Sequence, residues 1–177
     1  MDLIDPRTFA IDTINADGST NAVVEGKTVK VVLAPAITAG AYGAGQVVGG
    51  LLHFAGVGRV PNGTGLVTSA SLASKTATTA QFDLILFSSQ PSTSLADQAN
   101  ISTVAAVDIS RISKFYSMTE WTAVGAGAFG QAPSEARFFQ CSDPTNTQDL
   151  WGYLVARGAI TFGSTSDVTV TLRAAQD

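Results

Sequence analysis

Charged residues are scarce in this sequence. They make up 14% of its 177 residues, against about 25% in an average soluble domain. The four lysines and six arginines are scattered and form no basic cluster. Proteins that bind nucleic acid neutralise phosphates with clustered basic side chains, so we do not expect this chain to bind DNA or RNA.

Long apolar runs are also missing. No stretch of about 18 apolar residues occurs, so the sequence predicts no membrane span. The first seven residues are acidic and lack the apolar core of a secretion signal. The only cysteine, Cys141, cannot form a disulfide within the chain. These features together favour synthesis in a reducing cytosol.

Residues that carry chemistry are few. We interpret the only histidine, His53, as a hydrogen-bonded structural residue among apolar neighbours, and a hydrolase that uses it as a base is the weaker alternative. Metal sites need several ligands at close spacing. Asp143 and Asp149 flank a polar loop that lacks the spacing of an EF-hand. We therefore expect no catalytic residue, no metal and no cofactor.

One glycine motif invites a nucleotide-binding interpretation. Residues 125–130, GAGAFG, match G-x-G-x-x-G, which binds dinucleotides only between a strand and a long helix. Pro133 follows instead, and no amphipathic helix does. We predict that residues 125–133 form a flexible loop.

Alternation of apolar and polar residues is the strongest pattern present. At 168–173 three aliphatic residues alternate with Thr, Thr and Arg, which predicts a strand with one buried face. Residues 27–33 repeat the pattern. Residues 81–88 are apolar on both faces, which predicts a central strand covered on both sides. Gly49 and Gly50 inside an apolar strand indicate a bulge or a close approach of the backbone.

Turn signals separate these strands. Asn62–Gly63 is the strongest short hairpin signal, while residues 95–112 show helical spacing, with Asp108 as the cap of a short helix over 109–112. We count eight to ten short strands. The sequence therefore predicts an all-β fold, a sandwich, jelly-roll-like fold or barrel with one or two short helices. Residues 1–26 are predicted to form an arm, and residues 27–177 a single β domain.

Five aromatic residues leave two interpretations open. Aromatic side chains can stack on sugars, and they also fill cores and subunit interfaces. Packing or an interface is the favoured interpretation, because the pattern places two of them on one strand face, opposite Leu150 and Leu154. The five residues are Tyr42, Tyr116, Trp121, Trp151 and Tyr153.

Three segments resemble a group of tailed-phage and prophage structural proteins. Residues 42–52, YGAGQVVGGLL, resemble its Y-x-x-G-D-V-[VI]-G-G segment, and residues 83–92, DLILFSSQPS, resemble its D-L-L-L-F-D-x-x-P-S segment. Residues 150–170 are similar to L-Y-G-x-L-V-x-R-G followed by S-T-S-D-L-T-V, which is the most specific match. Gln46 and Ser88 stand where the group has Asp.

The resemblance implies a virion component, made in the host bacterial cytoplasm and located on the capsid surface. It implies a non-enzymatic decoration (cement) protein that binds itself, as a homotrimer, and the major capsid protein. The alternative is a tail or fibre component that binds glycans. We expect the arm to reach a neighbouring copy, and the candidate interface residues are Leu3, Ile4, Phe9, Ile11, Tyr42, Trp121 and Phe129.

Overall fold

The computed structural model describes residues 13–14, 20–21, 27–133, 136–142, 145 and 147–176. It contains fourteen strands, one 3₁₀-helix and one single-turn α-helix in that part of the chain. In chain order they are β1 (Thr13–Ile14), β2 (Thr20–Asn21), β3 (Lys27–Leu33), β4 (Gly40–Tyr42), β5 (Val47–Phe54), β6 (Thr64–Ser74), β7 (Phe82–Phe87), the 3₁₀-helix (Ile101–Thr103), α1 (Ala106–Ile109), β8 (Ile112–Met118), β9 (Trp121–Val124), β10 (Gly127–Gln131), β11 (Arg137–Gln140), β12 (Leu150–Ala156), β13 (Ile160–Phe162) and β14 (Val168–Gln176).

Two antiparallel sheets form the body of the protein. The six-stranded sheet has the order β3-β14-β6-β10-β9, and β11 pairs with the other end of the long strand β6. The four-stranded sheet has the order β5-β12-β7-β8. Both sheets contribute buried side chains to one central core, such as Leu72 and Val170 from the first and Leu84 and Leu154 from the second. The predicted all-β fold is confirmed, and the two sheets pack as a sandwich.

The alternation seen in the sequence fixes which side of each strand faces this core. In β14, Val168, Val170 and Leu172 are buried, while Arg173 points outward. Burial of each such side chain contributes about 1.5–3 kcal/mol to folding. The predicted strand is confirmed.

A second apolar cluster lies on the outer side of the four-stranded sheet. Ile85 and Phe87 of β7 and Tyr153 of β12 point away from the central core and pack against Leu95, Ile101 and other residues of the segment between β7 and β8. The expectation that β7 is covered on both sides is confirmed. The helical spacing over residues 95–112 predicted one or two short helices, and two single turns form there; the α-helical turn lies at Ala106–Ile109 and not at 109–112 as predicted.

The glycine pair in β5 marks a bulge. Gly49 and Gly50 have φ of 82° and 73°, and the pairing with β12 shifts register between Tyr153 and Val155. A Cβ on Gly49 would lie 2.1 Å from the Cβ of Pro35. Both the bulge and the close approach were predicted.

Two turn predictions need correction. Residues 127–131 form β10, which pairs with β9 and β6, so the glycine motif is a hairpin and not a flexible loop. Gly63 donates to the carbonyl of Val60, which makes the predicted turn. The strands on either side of that turn belong to different sheets, so no hairpin forms there.

Candidate interaction surfaces

The outer side of the six-stranded sheet is uncovered by the described part of the chain, and we call it the open face. Because side chains alternate, its strands present small hydroxyl and apolar groups there. Phe129 of β10, Val124 of β9, Val32 of β3 and Phe138 of β11 are all exposed. The six strands contain no Asp or Glu. The open face therefore combines polar groups with a few exposed apolar side chains, and its own strands contribute no acidic side chain to it.

A shallow hollow of about 400 Å³ lies in the open face. Lys30 of β3 and Arg173 of β14 are direct partners in the sheet register, so their side chains leave the sheet side by side. Neither forms an ion pair with another described residue. The hollow is lined by Lys30, Ser69, Ser71, Phe129, Gln131, Thr171 and Arg173.

On the opposite side of the sandwich, the second apolar cluster is open at one place. A cavity of about 250 Å³ lies between the four-stranded sheet and the segment that covers it, and we call it the apolar groove. Val107, Ile109 and Phe115 at or near this groove are 59%, 61% and 41% exposed. The groove is lined by Ile85, Phe87, Ile101, Ser102, Val104, Ile109, Ile112, Phe115 and Arg157.

A buried carboxylate holds the wall of the groove. Asp108 in α1 is fully buried and accepts hydrogen bonds from the backbone N–H groups of Ser92 and Thr93, at 2.8 and 3.0 Å, and from the hydroxyl of Ser92. Arg111 also lies 3.2 Å away. Burial alone would raise the pKa of Asp108, but these hydrogen bonds outweigh it and lower the pKa. The carboxylate is therefore charged and fixes the covering segment; it does not cap a helix over 109–112 as predicted.

Tyr42 belongs to the core. It is 2% exposed, and its hydroxyl lies 2.6 Å from a carboxylate oxygen of Asp97. Burial, together with this hydrogen bond, raises the pKa of Tyr42 to about 12. The backbone N–H of Gly49 donates to the other oxygen of Asp97, which ties β5 to the covering segment. The structure thus places Tyr42 inside the chain and not on an interface.

The remaining interface candidates have different locations. Trp121 packs against the edge of the central core, with its ring over Gly130 and an edge contact to Phe82. Phe129 lies exposed at the hollow, where it can contact a partner. The side chains of Leu3, Ile4, Phe9 and Ile11 lie outside the described residues.

The five aromatic residues do not form one surface. Tyr42, Tyr116 and Tyr153 are buried, and the hydroxyl of Tyr153 donates to the carbonyl of Thr93 while accepting from the N–H of Leu95. Trp151 lies on the same strand face as Tyr153, in the second cluster. The favoured interpretation as packing is confirmed for the three tyrosines.

His53 is hydrogen-bonded, as predicted. Its Nε2 lies 2.7 Å from Oδ2 of Asp149, and its ring stacks on Trp151 with the centroids 4.1 Å apart. The other carboxylate oxygen of Asp149 accepts from the N–H of Gly56. Burial, with the nearby Asp149 carboxylate, raises the pKa of the Cys141 thiol to about 11. The His53–Asp149 pair joins the end of β5 to the loop before β12. The raised pKa keeps the Cys141 thiol in its protonated, unreactive form.

The hollow and the groove were missed at the sequence level. Alternation placed Arg173 on the outward side of its strand, but the position of Lys30 beside it depends on the pairing of two strands some 140 residues apart. Ile109 and Phe115 looked like ordinary apolar residues of a helix and a strand. Their exposure follows only from how the covering segment lies on the sheet.

Within the described ranges, no three His, Cys, Asp or Glu side chains converge as metal ligands. No helix in the same ranges has the length and apolar character needed to cross a membrane. No protein-family model matches the chain, and no curated protein is significantly similar to it in sequence.

Proposed function

We propose that this chain is a non-enzymatic structural protein of a tailed-phage virion, a decoration protein that binds the lattice of the major capsid protein. The observation that carries the proposal is that two uncovered surfaces, the apolar groove and the open face, lie on opposite sides of one sandwich. A protein with two opposed binding surfaces can hold a lattice with one and a neighbouring copy with the other.

The apolar groove suits the lattice contact. Interfaces draw most of their binding energy from a few large apolar or aromatic side chains that become fully buried. The Asp108 contacts fix the backbone next to Ile109, and Phe115 lies in strand β8, so little backbone entropy is lost when a partner covers them. Since 61% of Ile109 and 41% of Phe115 is still exposed, covering each contributes about 0.6–1.8 kcal/mol.

Self-association would multiply this contact. A single groove of about 250 Å³ supports only a small interface. A homotrimer brings three grooves to the lattice at once, and linked sites raise overall retention by roughly 10²–10⁴. The open face, with exposed Phe129 and Val32, supplies a surface for contact between copies. The resemblance of residues 42–52, 83–92 and 150–170 to phage structural proteins supports the same role.

The test is binding to capsids that were assembled without this chain. Purified protein is added, and retention is measured by sedimentation and by imaging of the particles. The double change Ile109→Ser with Phe115→Ser should lower the affinity at least about tenfold, because it removes two apolar anchors. Val60→Ser is the matched control, since Val60 is 54% exposed and lies outside the groove.

Unchanged retention of the double variant would exclude the groove as the lattice contact. If the unmodified chain does not bind capsids at all, the proposed function is wrong. Deletion of residues 1–20 should weaken retention on heated capsids if the arm reaches a neighbouring copy. Light scattering of the purified chain measures its self-association independently of any particle.

A further inference from the structure

Charge is distributed unevenly between the first 26 residues and the rest of the chain. Residues 1–26 carry five of the 14 acidic residues and one of the ten basic residues, so this acidic segment holds the whole net charge of −4. The rest of the chain is balanced, with nine acidic and nine basic residues. The acidic positions of the segment are Asp2, Asp5, Asp12, Asp17 and Glu25.

The open face is the complement of this segment. Its strands carry basic residues and no acidic ones. Lys30 and Arg173 stand directly opposite each other in the register, and like charges in that position destabilise a sheet. Neither has a carboxylate partner among the described residues. An anionic ligand bound between the two side chains would remove this repulsion.

The hollow around the two cations has the donors that a carboxylate needs. The hydroxyls of Ser69, Ser71 and Thr171 line it together with the amide of Gln131. Arg binds a carboxylate through two parallel N–H groups, and Lys adds a compact charge. Phe129 at the rim offers an apolar surface for a neighbouring aliphatic side chain.

We infer that the hollow is a carboxylate-binding site and that its ligand is the acidic segment, residues 1–26, of a second copy of this chain. The inference rests on the proposed function for one point, that copies are held close together on a lattice. Charge complementarity selects the segment from the rest of the chain. Each copy would offer one hollow and one segment, so the contact can close into a ring of copies.

The length of the segment fits a neighbour. Strands β1 and β2 pair antiparallel with each other. Twelve residues precede β1, and a chain of that length can span up to about 40 Å when extended. The five strands from β3 to β9 cover only about 20 Å at the usual strand spacing. The acidic residues at 2 and 5 can therefore reach past the sheet of their own copy.

The test uses the full-length chain and a carbodiimide, which joins a carboxylate to an amine only when the two are in contact. Natural-abundance and ¹⁵N-labelled copies are mixed, cross-linked and digested, and the cross-linked peptides are identified by mass spectrometry. We expect Lys30 to be linked to residues 1–26 in pairs of mixed isotope. Lys114 lies on the other sheet and is the internal control that should stay unlinked.

Charge reversal provides the second arm. Lys30→Gln with Arg173→Gln should weaken self-association about tenfold, as expected for the loss of two exposed ion pairs. Lys30→Glu with Arg173→Glu should weaken it further, because the reversed charges repel the acidic segment. Arg59→Glu with Lys114→Glu changes the net charge equally at positions outside the open face and should leave association unchanged. High salt should imitate the neutral variant, because it screens the attraction without adding repulsion.

Four outcomes overturn the inference. Links confined to one isotope mean that the segment binds its own copy. Links to Lys114 as frequent as those to Lys30 mean that the contact is non-specific. Absence of links, or equal effects of the two charge reversals, means that the hollow does not hold the segment. Loss of capsid binding with the mixed links retained would sink the proposed function and leave this site standing.

Discussion

Replacement of Asp108 by Ala should open the apolar groove and cost a large part of the stability of the protein. The carboxylate accepts from the N–H groups of Ser92 and Thr93 and from the Ser92 hydroxyl, and it pairs with Arg111. Alanine leaves two part-buried N–H groups and the Ser92 hydroxyl without their acceptor. Each such group costs about 1–3 kcal/mol. We expect the free energy of unfolding to fall by about 2–4 kcal/mol.

The assay is urea unfolding followed by the fluorescence of Trp121 and Trp151, at one fixed protein concentration because association shifts apparent stability. Asp83→Ala is the matched control. Asp83 pairs with a half-exposed Arg157, and partly exposed ion pairs contribute only about 0–1 kcal/mol. The Asp108 variant should also bind a dye for exposed apolar surface. If it were no less stable than the Asp83 variant, the idea that Asp108 holds the groove wall would be refuted.

Two further predictions concern the backbone and pH. Gly49→Ala should lower the free energy of unfolding by at least about 2 kcal/mol, because φ is 82° and the new Cβ would meet Pro35 at 2.1 Å. Gly158→Ala is the control, since the space around Gly158 is open. Equal thermal midpoints of the two variants would contradict this reasoning. The hydrogen bond from Thr76 and those from the N–H groups after β13 lower the pKa of Asp167 below 3.8. Its contribution to stability is therefore fully present above about pH 4 and is lost as pH falls through the lowered pKa, so thermal midpoints of Asp167→Asn should depend less on pH in that range.

Local pattern predicted the strands well because it reports which side of a strand meets the core. The period-two alternation in β14 and the apolar character of both faces of β7 survive in the structure without change. The glycine pair in β5 was also interpreted correctly from the sequence. Only glycine accepts the positive φ of both residues and, at Gly49, the close contact with Pro35.

Local pattern failed where contacts distant in sequence decide. The glycines at 127 and 130 looked like loop residues, yet a Cβ on Gly127 would lie 2.4 Å from the carbonyl of Ser74, and Gly130 lies under the ring of Trp121. They are glycines because the hairpin packs closely. The apolar residues of segment 95–112 have a spacing that resembles that of a helix, but in the structure they serve to cover a sheet.

The sequence by itself determined the composition of the core, the strand faces and the acidic character of residues 1–26, because these depend only on the identity and order of the residues. Tertiary structure alone decided the two surfaces. Lys30 meets Arg173 through the register of β3 with β14, and Ile109 meets Phe115 through the fold of the covering segment on β8. Such surfaces arise from strands far apart in the chain, and no local pattern records which strands will be neighbours.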